Sequence, residues 1–497
     1  MNNKIMKSAI IGLLSATVLS ACGGGGTNFD DPVKDESFSS GDVDLSRYVA
    51  LGDSLTAGFK DGTLYIDGQL DSFPNILSGL FEEADGGAFT QPLMADNLGG
   101  LLFMGVENSE FPARRVLSNV GGELTPIIQP GTPTTETFNV ITGPFSNMGV
   151  PGAKSFHLLA PNYGDPAGLA VSPATANPFF VRFASAAANT IVADAVTQAP
   201  TFFTLWIGNN DILGYGTSGG DGTNPITDTA TFDGAYGGIV TSLTAGGAKG
   251  VLINLPSIVD IPFFTTVPFN AIPLDQANAD AANAAYAAYN GGVAALLAGD
   301  PDEAAQRTIT FVAGQNAIVI EDESLTDLSG SGLPSVRQAT ADDYILLTTS
   351  SLLGTLRTAG DATTVIGVGS ALTDSEALTA TEAAEIEVAR TAYNTTIEGL
   401  AAGSADLALY DAAATLADLN DGDGISYGTG SIDSTFATGG AFSLDGVHPT
   451  ARGYAVIANG VIDTMNASFD GTDLPRTDPG MFTEVFFEFP TGFDFSP

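Results

Sequence analysis

The sequence predicts an α/β protein: a three-layer α/β/α sandwich around a mostly parallel sheet, carrying long insertions. Three observations lead there. Short apolar runs that stop at Gly or Pro recur along the chain. Alanine-rich stretches of helical length lie between them. The runs are continuously apolar rather than alternating, as strands buried on both faces require. Strands alternating with helices define this class.

The first run is Tyr48-Val49-Ala50-Leu51, stopping at Gly52. The second is Phe202 to Ile207, stopping at Gly208, and the third Gly250 to Leu255, stopped by Pro256. A later one is Leu407 to Tyr410. Helices are expected at 184–197, 235–245, 275–297 and 381–402. The last helix is the plainest, because Tyr454, Ile457, Ala458, Val461, Ile462 and Met465 follow i, i+3, i+4, i+7 spacing. Two stretches exceed what such a sandwich needs, about 60–135 and 262–378, and read as insertions into one domain spanning 45–468. Residues 469–497 read as a C-terminal tail. Ala288-Tyr289-Asn290 echoes Ala392-Tyr393-Asn394, and alanine-rich convergence accounts for it.

Composition narrows the function. The chain carries 57 Asp+Glu against 16 Lys+Arg, a net charge of −41. Nucleic acid is therefore not an expected partner, since phosphate backbones are bound by Lys and Arg. One Cys and two His exclude an internal disulfide and a Cys/His zinc cage. No cofactor and no metal are expected.

The lone Cys has a context. Lys4 and Lys7 precede an apolar stretch from Ala9 to Leu19, followed by Ser20-Ala21-Cys22. The stretch is too short for a permanent span and reads as an export signal over 1–21. It resembles a bacterial lipobox, which implies a lipidated Cys22 and membrane attachment through that lipid. Residues 22–44 read as a flexible tether. Asp30 and Asp31 resemble an acidic signal for surface display, with plain linker acidity as the alternative; the expected location is the cell envelope, lipid-anchored to the outer membrane, with the membrane face left open.

Four segments carry chemistry. Gly52-Asp53-Ser54-Leu55 follows the first strand, and a Ser there is a nucleophile once a base takes its proton. Asn147-Met148-Gly149-Val150-Pro151-Gly152 reads as a tight turn with outward N–H groups. Gly208-Asn209-Asn210-Asp211 follows the second strand, where an Asn amide can donate to a developing oxyanion. Asp445-Gly446-Val447-His448-Pro449 precedes the last helix, with the Asp placed to orient the His. Open α/β sheets place their sites at such strand ends.

In this order the four segments resemble the blocks of the SGNH (GDSL-type) hydrolase family. The resemblance implies a flavodoxin-like sheet and a lipase or esterase: a carboxylic ester hydrolase working through an acyl-enzyme. It implies Ser54 as nucleophile, His448 as base and Asp445 as its orienting acid. It implies an oxyanion hole made by Ser54 N–H, Gly152 N–H and the Asn210 side chain. The expected substrate is a small-molecule or lipid ester; polysaccharide O-deacetylation and a non-catalytic surface-binding lipoprotein are the alternatives. The long gaps between blocks depart from the family pattern and leave the cleft shape open.

Three further segments carry weaker signals. Gly216-Thr217-Ser218-Gly219-Gly220 matches a nucleophile-elbow pattern but lacks the strand before it and the helix after it. His157 reads as a structural or surface residue. Asp418 to Asp423 resembles a calcium loop with broken spacing and reads as an acidic turn.

Overall fold

Five strands make the central sheet: β1 (Tyr48–Gly52), β2 (Asn147–Gly149), β3 (Phe202–Trp206), β4 (Lys249–Ile253) and β5 (Leu407–Tyr410). The structure is a computed structural model that describes residues 38–428, 430–483 and 485. All four pairings are parallel, in the spatial order β2-β1-β3-β4-β5. The order of strands reverses between β1 and β3. In the register Gly52 stands opposite Trp206 on one side and Gly149 on the other. Every residue of β1 and β3 is buried, which is why these runs carry no polar alternation.

Asn147–Gly152 has the composition of a turn. Its first three residues are instead edge strand β2, too short to show any periodicity. The helix expected at 184–197 is confined to Ile191–Thr197, capped by Thr190. Upstream, Ser185 donates from its backbone N–H and its hydroxyl to Asp194, and Asn189 joins them. Such short polar side chains divert the backbone from helix. The helix expected at 235–245 starts earlier, at Thr229, where Asp228 accepts the Thr231 N–H. The helices Gln276–Leu296, Ala380–Ala402 and Ala451–Ser468 lie where spacing puts them.

The compact unit begins at Phe38. Residues 38–44 are therefore part of the domain and not of the tether. Ser39–Ser40 pairs with Thr472–Asp473, Asp42 forms an ion pair with Lys249, and Val43 and Leu45 are buried. The same pairing draws the start of the C-terminal tail into the fold, with Phe469 and Leu474 buried. Apolar side chains and free backbone groups on both segments satisfy each other there. Cys22, the export signal and the rest of the tether lie outside the described residues. Among the described residues no helix is long and apolar enough to cross a membrane.

Both insertions have structure of their own. The first carries a hairpin, Arg115–Val120 with Glu123–Ile128. The second closes over a separate core that includes Ile272, Val293, Ile318, Ile320 and Leu372. Within it Arg337 bridges Asp322 and Asp343, a buried charge with two partners. The repeated Tyr-Asn pair has a shared job. Asn290 grips both the N–H and the C=O of Ile309, and Asn394 grips those of Leu255 in the same way.

Candidate active site

Gly52 ends β1 at a place where no side chain fits. A Cβ there would lie 2.3 Å from the Trp206 carbonyl and 2.2 Å from Thr56 Oγ1. The chain then turns into the single helical turn Ser54–Ala57, capped by Asp53, whose carboxylate accepts the Leu55 N–H at 3.0 Å. Gly58, at φ +84°, ends it. Ser54 thus opens a turn at the C-terminal end of a central strand, with 7 % of its surface exposed.

The turn is held from the side by β2. Asn147 donates to the Thr56 carbonyl at 2.9 Å, and a Cβ at Gly149 would meet the Ala57 nitrogen at 2.4 Å. Asn147 Oδ1 also accepts the Gly149 N–H. Gly149 is a packing residue here.

His448 arrives from the other end of the chain. Its Nε2 lies 2.8 Å from Ser54 Oγ, and its Nδ1 lies 2.9 Å from Asp445 Oδ2. The helix after it starts at Ala451, capped by Thr450, whose hydroxyl donates to the Gly440 carbonyl. Asp445 Oδ1 accepts the backbone N–H groups of Val447 and His448, and Oδ2 also accepts the Gly62 N–H at 2.9 Å. Burial pushes the Asp445 carboxyl up. The His448 charge and these donors outweigh burial and hold it well below the usual range. Asp445 is therefore an anion that fixes the imidazole, leaving Nε2 toward the serine. The ring of Phe59 packs on His448 at 4.6 Å.

The oxyanion candidates come from three segments: the Ser54 turn, the loop after β2 and the start of the helix after β3. The N–H groups of Ser54 and Gly152 take no protein acceptor among the described residues. Gly152 is exposed at φ +79°, a backbone state that L side chains rarely adopt. Asn210 opens the helix Asn210–Thr217 after β3 and spends one amide hydrogen on the Ala153 carbonyl, at 2.9 Å. Its second amide hydrogen remains for a ligand. Asp211 ties the same two segments, accepting both the N–H and the hydroxyl of Ser155. Asn209 is buried and reaches toward Asp53, Nδ2 to Oδ2 at 3.5 Å. Burial pushes the Asp53 carboxyl up to about 6, against the hydrogen bonds from Leu55 and Asn209.

Ser54, Asn210 and His448 share one cleft of about 790 Å³, counting its open mouth. Its remaining wall is almost wholly apolar: Ile258 and Ile261 after β4, Leu416 and Leu419, and Val456 and Ile457 of the last helix. A serine hydroxyl with its proton shared to an oriented imidazole can attack an electrophilic carbon. An apolar wall beside it can hold a hydrocarbon chain.

Several contributors escaped the sequence reading. Asp61, Gly62 and Ser443 brace Asp445 and its loop. Asp61-Gly62 is a turn dipeptide, yet nothing local says that it faces residue 445. Ser218 donates to the Tyr215 carbonyl at the end of a helix, away from any strand end. His157 accepts the Lys154 N–H and stacks on Tyr163 at 4.5 Å, outside the triad. No protein-family model matches the chain, and no curated protein matches it in sequence.

Proposed function

We propose that the chain is a serine ester hydrolase of the SGNH (GDSL) type, built as a three-layer α/β/α sandwich on a flavodoxin-like sheet. The strand order 2-1-3-4-5 supports the fold reading, with Ser54 at the reversal between β1 and β3. The observation that carries the activity is the unbroken chain of contacts Ser54 Oγ–His448 Nε2 and His448 Nδ1–Asp445.

Ser54 attacks the ester carbonyl as His448 takes its proton. Ser54 N–H, Gly152 N–H and the free hydrogen of Asn210 receive the oxyanion. His448 returns the proton to the leaving alcohol. Water, activated by the same imidazole, then releases the acid. The apolar cleft favours acyl esters with a hydrocarbon acyl group over acetylated polysaccharide. A Cys22 lipid anchor would hold the enzyme on the outer membrane, near such substrates.

A fluorophosphonate probe tests the activity class. It should label the purified protein once, at Ser54, and Ser54→Ala should abolish labelling. An unlabelled but folded wild-type protein would rule the reading out and return the chain to a binding role.

A further inference from the structure

Far along the chain from the catalytic residues, three carboxylates converge. Glu323 sits in the turn after residues 319–321, Asp374 opens a 3-10 turn, and Glu382 lies in the first turn of the helix Ala380–Ala402. One oxygen from each lies within 4.8 Å of the others. Among the described residues no Lys or Arg pairs with any of them.

Glu382 is the telling member. Only 6 % of it is exposed. Its Oε2 is used, accepting the N–H and hydroxyl of Thr379 in a capping box. Its Oε1 is shielded from solvent and no donor reaches it. A buried carboxylate oxygen without a donor is destabilising, and here Gly220 clears room for it: a Cβ there would lie 2.2 Å from Oε1. The other two carboxylates add like charge to that cost.

We propose that Glu323, Asp374 and Glu382 form a calcium-binding site. Carboxylate oxygens from separate segments, one of them donor-free and buried, are the ligands a hard divalent cation takes. The partly open side at exposed Glu323 leaves room for water, which suits the six to eight oxygens of Ca²⁺ better than a closed octahedron. The ion joins the second insertion to the start of the long helix. The loop Gly219–Asp221, which follows the helix headed by Asn210, packs against the Glu382 carboxylate and the Asp374 backbone carbonyl. Calcium therefore stabilises the fold and does not enter the ester chemistry. No metal is expected from the sequence, and the acidic stretch 418–423 is not part of this cluster.

The test uses the purified protein, stripped with a chelator and titrated with calcium chloride by calorimetry and thermal melting. Wild type should bind a single ion and gain about 3–5 °C in Tm at calcium a hundredfold above Kd. E323Q/D374N should keep an apo Tm at or above wild type, because charge repulsion is removed, and lose the calcium response. E323Q alone, an exposed change that leaves the fold intact, should weaken binding at least tenfold. D421N should respond like wild type. No calcium binding by wild type up to 10 mM, or an unchanged response in E323Q, or its loss in D421N instead, would each overturn the proposal. These readouts do not depend on esterase activity, so the site can fail while the hydrolase reading stands, and the reverse.

Discussion

Gly62 donates its backbone N–H to Asp445 Oδ2 at 2.9 Å, the same oxygen that holds His448 Nδ1. A residue at the edge of an insertion thus helps aim the His448 imidazole. Gly62 stands at φ +82°, and a Cβ would meet Arg115 Nη1 at 2.1 Å. Gly62→Ala must shift either the turn or Arg115. We expect kcat to fall about 10–100-fold through misplacement of the acid, and Asp445→Asn to cost about 10⁴-fold. Unchanged kcat in Gly62→Ala would show that the brace is dispensable.

The two histidines separate cleanly. His448→Ala should remove about 10⁴–10⁶ of kcat, while His157→Asn should leave kcat near wild type. Equal losses in both would overturn the triad assignment.

His157 should instead govern acid stability. Burial, helped by the Lys154 charge, lowers its pKa to about 4. Unfolded, the imidazole titrates near about 6.5. Above that pH both states are neutral and His157 costs nothing. As pH falls through the window toward 4 the unfolded chain takes up the proton first, and stability is lost. The loss should reach about 3 kcal/mol at pH 4. Denaturant melts at pH 7.5 and 4.5 should show a steeper decline in wild type than in His157→Asn; parallel declines would remove His157 from the acid response.

Asn210 and Asn209 should fail in different ways. Asn210→Ala should lower kcat about 10²–10³-fold with little change in KM. Asn209→Ala should act on stability, because Asp53 then loses a buried partner, at a cost of about 1–3 kcal/mol. Kinetics and thermal melts on both variants check this. A normal kcat in folded Asn210→Ala would refute its oxyanion role.

The cleft wall should set acyl length. Leu416 and Leu419 come from the helix Ala412–Asn420, facing Val456 and Ile457. Leu416→Trp should cut kcat/KM for long-chain esters about 10–200-fold while sparing acetyl esters. A uniform loss across a panel of acyl lengths would mean that the acyl chain lies elsewhere.

Much of this molecule was determined by local sequence. Continuous apolar runs, two of them ending at glycine and one at proline, identify β1, β3, β4 and β5, because doubly buried strands tolerate little else. The segments that hold Ser54, Asn210, Asp445 and His448 were legible too, because in this order they resemble the blocks of a known hydrolase family, although each alone reads as an ordinary turn. Other features were decided only by tertiary structure. Strand β2 is three residues long and exists because β1 offers it a free edge. Gly62 meets Asp445 across 383 positions, and no local pattern encodes such a meeting. Phe38 to Asp44 looked like linker until its backbone groups found Asp470 to Asp473. Glu323, Asp374 and Glu382 are scattered acidic residues in sequence and a cluster only after the second insertion folds back. Hydrophobic burial and local turn chemistry are written in neighbouring residues. Close approaches between distant backbone groups depend on how whole elements pack, and only the folded chain decides them.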